Sequence, residues 1–146
     1  MRVKTHKRAI LKYEDIIDMM DLLHKNELYE LEGWISLGLD TGFRSVDFER
    51  LTCEDIIDSE IREFYCIRLG DTYPDVTLSD RSLSLLEHLP SKGVLFPKGQ
   101  YIYLQKVREY AKKKFIWHDL RKVYLKRKYD LGEAEMPLEG ELIWKK

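Results

Sequence analysis

Apolar side chains recur at helical spacing through Ile16, Ile17, Met19, Met20, Leu22 and Leu23, which predicts a helix over about 13–25. A second stripe, Leu28, Leu31, Ile35 and Leu39, predicts a helix over 28–39, ended by Gly42. Ser45 is a suitable N-cap for a short helix over 45–51. The period then changes. Residues 61–69 (IREFYCIRL) are rich in β-branched and aromatic side chains, and Gly70 to Pro74 supplies turn chemistry. Residues 75–78 (DVTL) can return as the partner strand of a small antiparallel hairpin. Helical signals resume from Ser79 to Leu89, with Leu83, Leu86 and Leu89 inward. After a loop at 90–99 holding Gly93, Pro97 and Gly99, two more helices fit 100–113 and 117–130, the last ended by Gly132. The order is helices, hairpin, helices: a mainly α chain with one small antiparallel sheet.

At 146 residues the chain has the size of one domain. Its 44% hydrophobic and 12% aromatic content supports a sizeable core and excludes wholesale disorder. The longest uncharged apolar-rich run, 33–39, is far short of the roughly 20 residues that a bilayer span needs. No apolar segment precedes the acids of the N-terminus, so no secretory signal is visible. Cys53 and Cys66 match no metal-ligand or disulfide spacing and read as free thiols in a reducing compartment. The expected address is the cytoplasm, or the nucleoid when bound to DNA.

A net charge of −1 hides a polarised chain. Residues 1–12 form a basic arm (Arg2, Lys4, Lys7, Arg8, Lys12) without an acid, ahead of a single domain over 13–146. Residues 14–60 are strongly acidic. Residues 106–128 hold ten Lys or Arg against Glu109 and Asp119. Such a tract is either a local footprint for a polyanion or the solvated face of a Lys-rich helix.

Two motifs sharpen the choice. In 34–57 a hydrophobic helix runs into Thr41-Gly42-Phe43-Arg44, followed by Asp47, Leu51, Asp55 and Ile56. In 117–132 the stretch His118-Asp119-Leu120-Arg121 opens a helix, Gly132 follows Arg121 by eleven residues, and Trp144 follows Gly132 by twelve. The hairpin, the VTLS stretch and the LFP at Leu95 to Pro97 lie between them in order. This arrangement resembles the catalytic domain of the tyrosine recombinases, the phage-integrase family, over roughly 10–146.

The resemblance implies a phosphate pocket built from Arg44, His118, Arg121 and Trp144, with neither metal nor cofactor. Arginine suits such a pocket because its planar fork stays charged and clamps two phosphate oxygens. His118 would hydrogen-bond the phosphate or relay a proton. Arg68, Lys112, Lys113, Lys114, Lys122 and Lys126 would lie along the DNA backbone. Each residue also has a plainer reading. Arg44 can be a surface arginine after a glycine C-cap, His118 a helix-terminal residue, Arg121 part of the solvent face, and Trp144 a tail aromatic docked on the core.

Two departures from the family pattern bear on activity. The hairpin 61–78 has no lysine, which the family uses to protonate the leaving oxygen, and its basic residues are Arg62 and Arg68. Arginine holds its proton too tightly for that task. The family nucleophile follows the His/Trp position by about nine residues, and none of the nine tyrosines stands there.

Three functions remain open on this basis. The chain is a recombinase-like DNA-binding protein unable to cleave by itself, a truncated fragment of an active integrase, or a helical protein-interaction module. The expected partner is double-stranded DNA, with a full-length recombinase or a second copy of the chain as a further partner. In isolation a monomer or weak dimer is expected, with no membrane association.

Overall fold

A computed structural model of the chain describes residues 10–138 and 141–144, with side chains described from Ile10 to Glu133. Helix α1 (Tyr13–Lys25) buries Ile16, Met19, Met20 and Leu23, one stripe at the spacing of helical turns. Its start is held by Asp15, whose carboxylate accepts the Lys12 N–H at 2.8 Å. Acids in its first turn and His24 and Lys25 in its last complement the helix dipole. Helix α2 (Tyr29–Thr41) is the central element, buried continuously from Leu31 to Gly38.

The short helix α3 (Ser45–Phe48) follows, then a 3₁₀ turn at Cys53–Asp55 and five two-residue strands. Strands β1 (Ile56–Ile57), β2 (Glu60–Ile61) and β5 (Val76–Thr77) form an antiparallel sheet in the order β1-β2-β5. Its register pairs Ile56 with Ile61 and Ile61 with Val76. Between β2 and β5 the chain extends a separate hairpin, β3 (Tyr65–Cys66) with β4 (Asp71–Thr72). Helix α4 (Asp80–Leu85), a 3₁₀ turn, α5 (Gln100–Arg108) and α6 (Trp117–Asp130) complete the helical part. A last antiparallel hairpin joins β6 (Ala134–Leu138) to β7 (Glu141–Trp144).

Helices 13–25 and 117–130 fall where hydrophobic spacing puts them, and the architecture is mainly α with small antiparallel sheets. Other boundaries differ. The expected hairpin 61–78 is split into two nested pairings, β2 with β5 and β3 with β4, with Glu63 at a left-handed φ of 52° between β2 and β3 and Phe64 buried in the core. Before Glu63, Ile61 pairs with Val76, and after it Cys66 pairs with Asp71. The helix expected over 100–113 stops at Arg108, whose Nε donates to the Phe115 carbonyl at 2.8 Å and ties the following turn. The helix expected over 45–51 stops at Phe48. The β6–β7 hairpin stands where no strand was expected.

The core lies between α1, α2, α3, α5 and α6. Trp117 packs on both Trp34 and Phe48, with ring centroids 4.9 and 4.7 Å away, and Phe96 and Tyr103 extend this aromatic cluster. Gly38 makes the α2–α6 contact possible: a Cβ there would lie 2.6 Å from the Trp117 ring. Burying several large aromatic side chains gives such a cluster a large share of the apolar stabilisation. Among the described residues no helix is long and apolar enough to cross a membrane.

Candidate functional site

The C-terminal turn of α2 is where the two sequence motifs meet. Gly42 ends the helix in a left-handed conformation, φ 63°, and its N–H donates to the Gly38 carbonyl at 2.9 Å. Phe43 then drops its ring into the core against Phe64 and Tyr73. With Phe43 turned inward, Arg44 comes to the surface side in extended backbone and starts α3.

Helix α6 lies across this turn and touches it with one face. Trp117 Nε1 donates to the Phe43 carbonyl at 2.9 Å. Arg121, 8% exposed, donates from Nε to the Gly42 carbonyl at 2.7 Å. One turn further on, the Tyr124 ring covers the Gly42 backbone. The arginine charge therefore sits at the carbonyl end of α2, where the helix dipole favours a cation.

Arg44 and Arg121, 77 residues apart in sequence, line one cleft with Tyr73, Cys66, Leu69 and Tyr124. His118 lies one helical turn before Arg121, with its side chain exposed. Partial burial, then the charges of Lys122 and Arg121 and, more weakly, Arg44, hold its imidazole below the ordinary histidine value, against the opposing pull of Asp119. His118 itself is not among the residues that line the cleft.

Behind the cleft stands Asp47, fully buried. The Tyr73 hydroxyl donates to Asp47 Oδ2, and the same Tyr73 oxygen accepts the Arg44 N–H at 3.0 Å. Arg50 donates to Oδ1 at 2.8 Å and the Ile67 N–H at 3.3 Å. Burial acts to raise the Asp47 pKa, but these hydrogen bonds outweigh it and leave the carboxyl below its usual range. The network joins α3 to the β3–β4 hairpin and positions the Arg44 backbone. Tyr73 is pushed above the ordinary phenol value by burial and by Asp47, and Tyr124 chiefly by burial.

The remaining basic residues are dispersed. Arg68 is exposed in the β3–β4 turn, beside Leu69 of the cleft wall. Lys122 is exposed on α6 close to His118, and Lys112 and Lys114 are exposed before α6. Lys113 is held within the fold, its Nζ 2.8 Å from Asp15 Oδ2 and 3.0 Å from the Ile10 carbonyl. Lys126 pairs with Asp130 one turn on at 3.2 Å. Trp144 is in β7, its backbone opposite Ala134, and its side chain lies outside the described residues, as do residues 1–9 of the basic arm. Sequence reasoning did not assign Tyr73 or Tyr124 to the site. Tyr124 carried a signal, three residues after Arg121 on one helix face. Tyr73, 29 residues from Arg44, carried none.

The fold, mainly helical with small antiparallel sheets, is similar to that of a solved recombinase. A solved XerA recombinase superposes with a TM-score of 0.65 at 14% sequence identity, over 90% of this chain and 52% of that one. The chain thus spans about half the length of that recombinase. No family model matches the sequence, and no curated protein does.

Proposed function

We propose that this chain binds the backbone of duplex DNA through the Arg44–Arg121 cleft and does not break DNA by itself. The observation that carries the reading is the convergence of Arg44 and Arg121 on one cleft, with His118 beside them. Two guanidinium groups and an imidazole at the edge of a basic helix suit a bridging phosphate, since charge-assisted hydrogen bonds from arginine are short and directional. The likeness to a XerA recombinase supports the same reading at the level of the fold.

Strand cleavage needs a nucleophile and a proton donor for the leaving oxygen. The tyrosines at the cleft, Tyr73 and Tyr124, are buried, with the Tyr73 hydroxyl engaged by Asp47, and the hairpin 61–78 carries Arg62 and Arg68 but no lysine to serve as a general acid. The cleft is thereby equipped to hold a phosphate and to stabilise its charge, not to attack it. A second reading, supported by the likeness to a recombinase at the level of the fold, is that the chain acts together with a full-length recombinase.

Titrating a labelled duplex at two salt concentrations tests binding. Affinity that falls with added salt is expected, and no detectable affinity at low salt overturns the proposal. Incubation with a nicked suicide duplex tests inactivity. A covalent adduct on a denaturing gel that maps to a tyrosine of this chain, and is lost when that tyrosine becomes Phe, overturns the second half of the proposal.

A further inference from the structure

The turn joining β3 to β4 carries side chains that a phosphate cleft leaves unexplained. Tyr65, Ile67 and Leu69 are 50%, 54% and 60% exposed, within five residues of one another. Single exposed apolar side chains are ordinary, but a group of large ones on one turn is a local apolar tip in water. Its base is anchored. Cys66 is fully buried, the Ile67 N–H donates to Asp47, the Tyr65 carbonyl accepts from Arg50 at 2.8 Å, and the Gly70 N–H closes on the Cys66 carbonyl at 2.9 Å. The Asp47 carboxylate that fixes this turn also fixes Arg44 through Tyr73. Leu69 belongs to the cleft wall together with Arg44 and Arg121.

We infer that this tip is a wedge: Ile67 and Leu69 enter a groove of the duplex and part a base step while the neighbouring arginines hold the backbone. The inference rests on the duplex-binding reading above. A base step is an apolar slot between phosphates, and the surface complementary to it is aliphatic with cations at its flanks. Arg68 stands between the two aliphatic residues, and Arg44 and Arg121 stand beside Leu69. The single acid of the turn, Asp71, directs Oδ1 to the Thr72 N–H at 2.7 Å, within its own chain. Apolar side chains inserted at a step unstack and kink DNA, and the kink brings more backbone against the protein. Anchoring matters because a mobile tip would lose the binding free energy to its own ordering.

A duplex carrying 2-aminopurine at successive positions, titrated with the full chain at low salt, tests the wedge. Emission should rise at one step as the complex saturates. The substitution Ile67→Ser should abolish that rise while salt-dependent binding persists, because the Ile67 side chain is 54% exposed and is not part of the cleft wall. Binding by the unaltered chain with flat emission at every position overturns the wedge and leaves the duplex reading standing. An equal rise with Ile67→Ser also overturns it. No binding at any salt overturns both, and loss of self-association in Ile67→Ser would then assign the tip to a second copy of the chain. If Ile67→Ser fails to fold, judged by circular dichroism, the position scan with the unaltered chain decides the matter.

Discussion

Arg121 Nε lies 2.7 Å from the carbonyl oxygen of Gly42, and the ring of Tyr124, three residues later on α6, lies on the Gly42 backbone itself. One glycine therefore receives both a charge and a ring from the same helix. A Cβ built on Gly42 would come 2.1 Å from Tyr124 Cδ2, and its φ of 63° disfavours any L side chain. Gly42→Ala should cost about 1–3 kcal/mol for the backbone conformation and about as much again for overpacking. A fall in the melting midpoint by several degrees, followed by circular dichroism, checks this. An unchanged midpoint would show that α6 does not pack on the glycine.

His118 reports on the arginines. Because Arg44 and Arg121 both lower its pKa, Arg44→Gln should move the His118 titration upward, as read from its imidazole resonances by NMR. The sign for stability follows. The folded pKa lies below the unfolded value of about 6.5, so the unfolded chain binds more protons between the two. This group's contribution is intact above about pH 6.5 and is lost as pH falls through the folded pKa. Bound phosphate should reverse the shift, since a nearby anion favours the imidazolium.

Asp47 governs the acid limb. Its carboxyl is held below the ordinary value of 3.8, so its contribution is present above that pH and is lost as pH falls through the lower folded value. Asp47→Asn should flatten stability against pH in that range. Tyr73→Phe leaves the Arg44 N–H and the Asp47 carboxylate each without the hydroxyl, and should cost about 1–3 kcal/mol. Urea denaturation at several pH values measures both.

The lysines divide by what they touch. Lys122, exposed beside His118, should lower the slope of log affinity against log salt by about 1 when changed to Ala, as a lost phosphate contact does. Lys113 is engaged by Asp15 and the Ile10 carbonyl, so Lys113→Ala should leave the slope unchanged and cost at most about 1 kcal/mol of stability. Parallel duplex titrations separate the two. An equal loss of slope would mean that Lys113 leaves Asp15 on binding.

Helices α1 and α6 were legible along the chain because their polar and apolar positions alternate with the helical turn, a signal held within a few residues. The chain also determined that a glycine precedes Arg44 and that His118 and Arg121 share a helix face. Only tertiary structure decided what those residues meet. The stripe Leu28, Leu31, Ile35 and Leu39 also marked helix α2, but that the helix is buried on every side from Leu31 to Gly38, Glu32 and Ser36 included, follows only from the elements packed around it. The strands are two residues long and pair at a distance, Ile61 with Val76, so their stability comes from neighbours rather than from local preference. Tyr73 reaches Arg44 and Asp47 only because the fold brings the residue after β4 against α3. Hydrogen bonds of this kind depend on distance in space and direction, and neither is written in the spacing of residues along a chain.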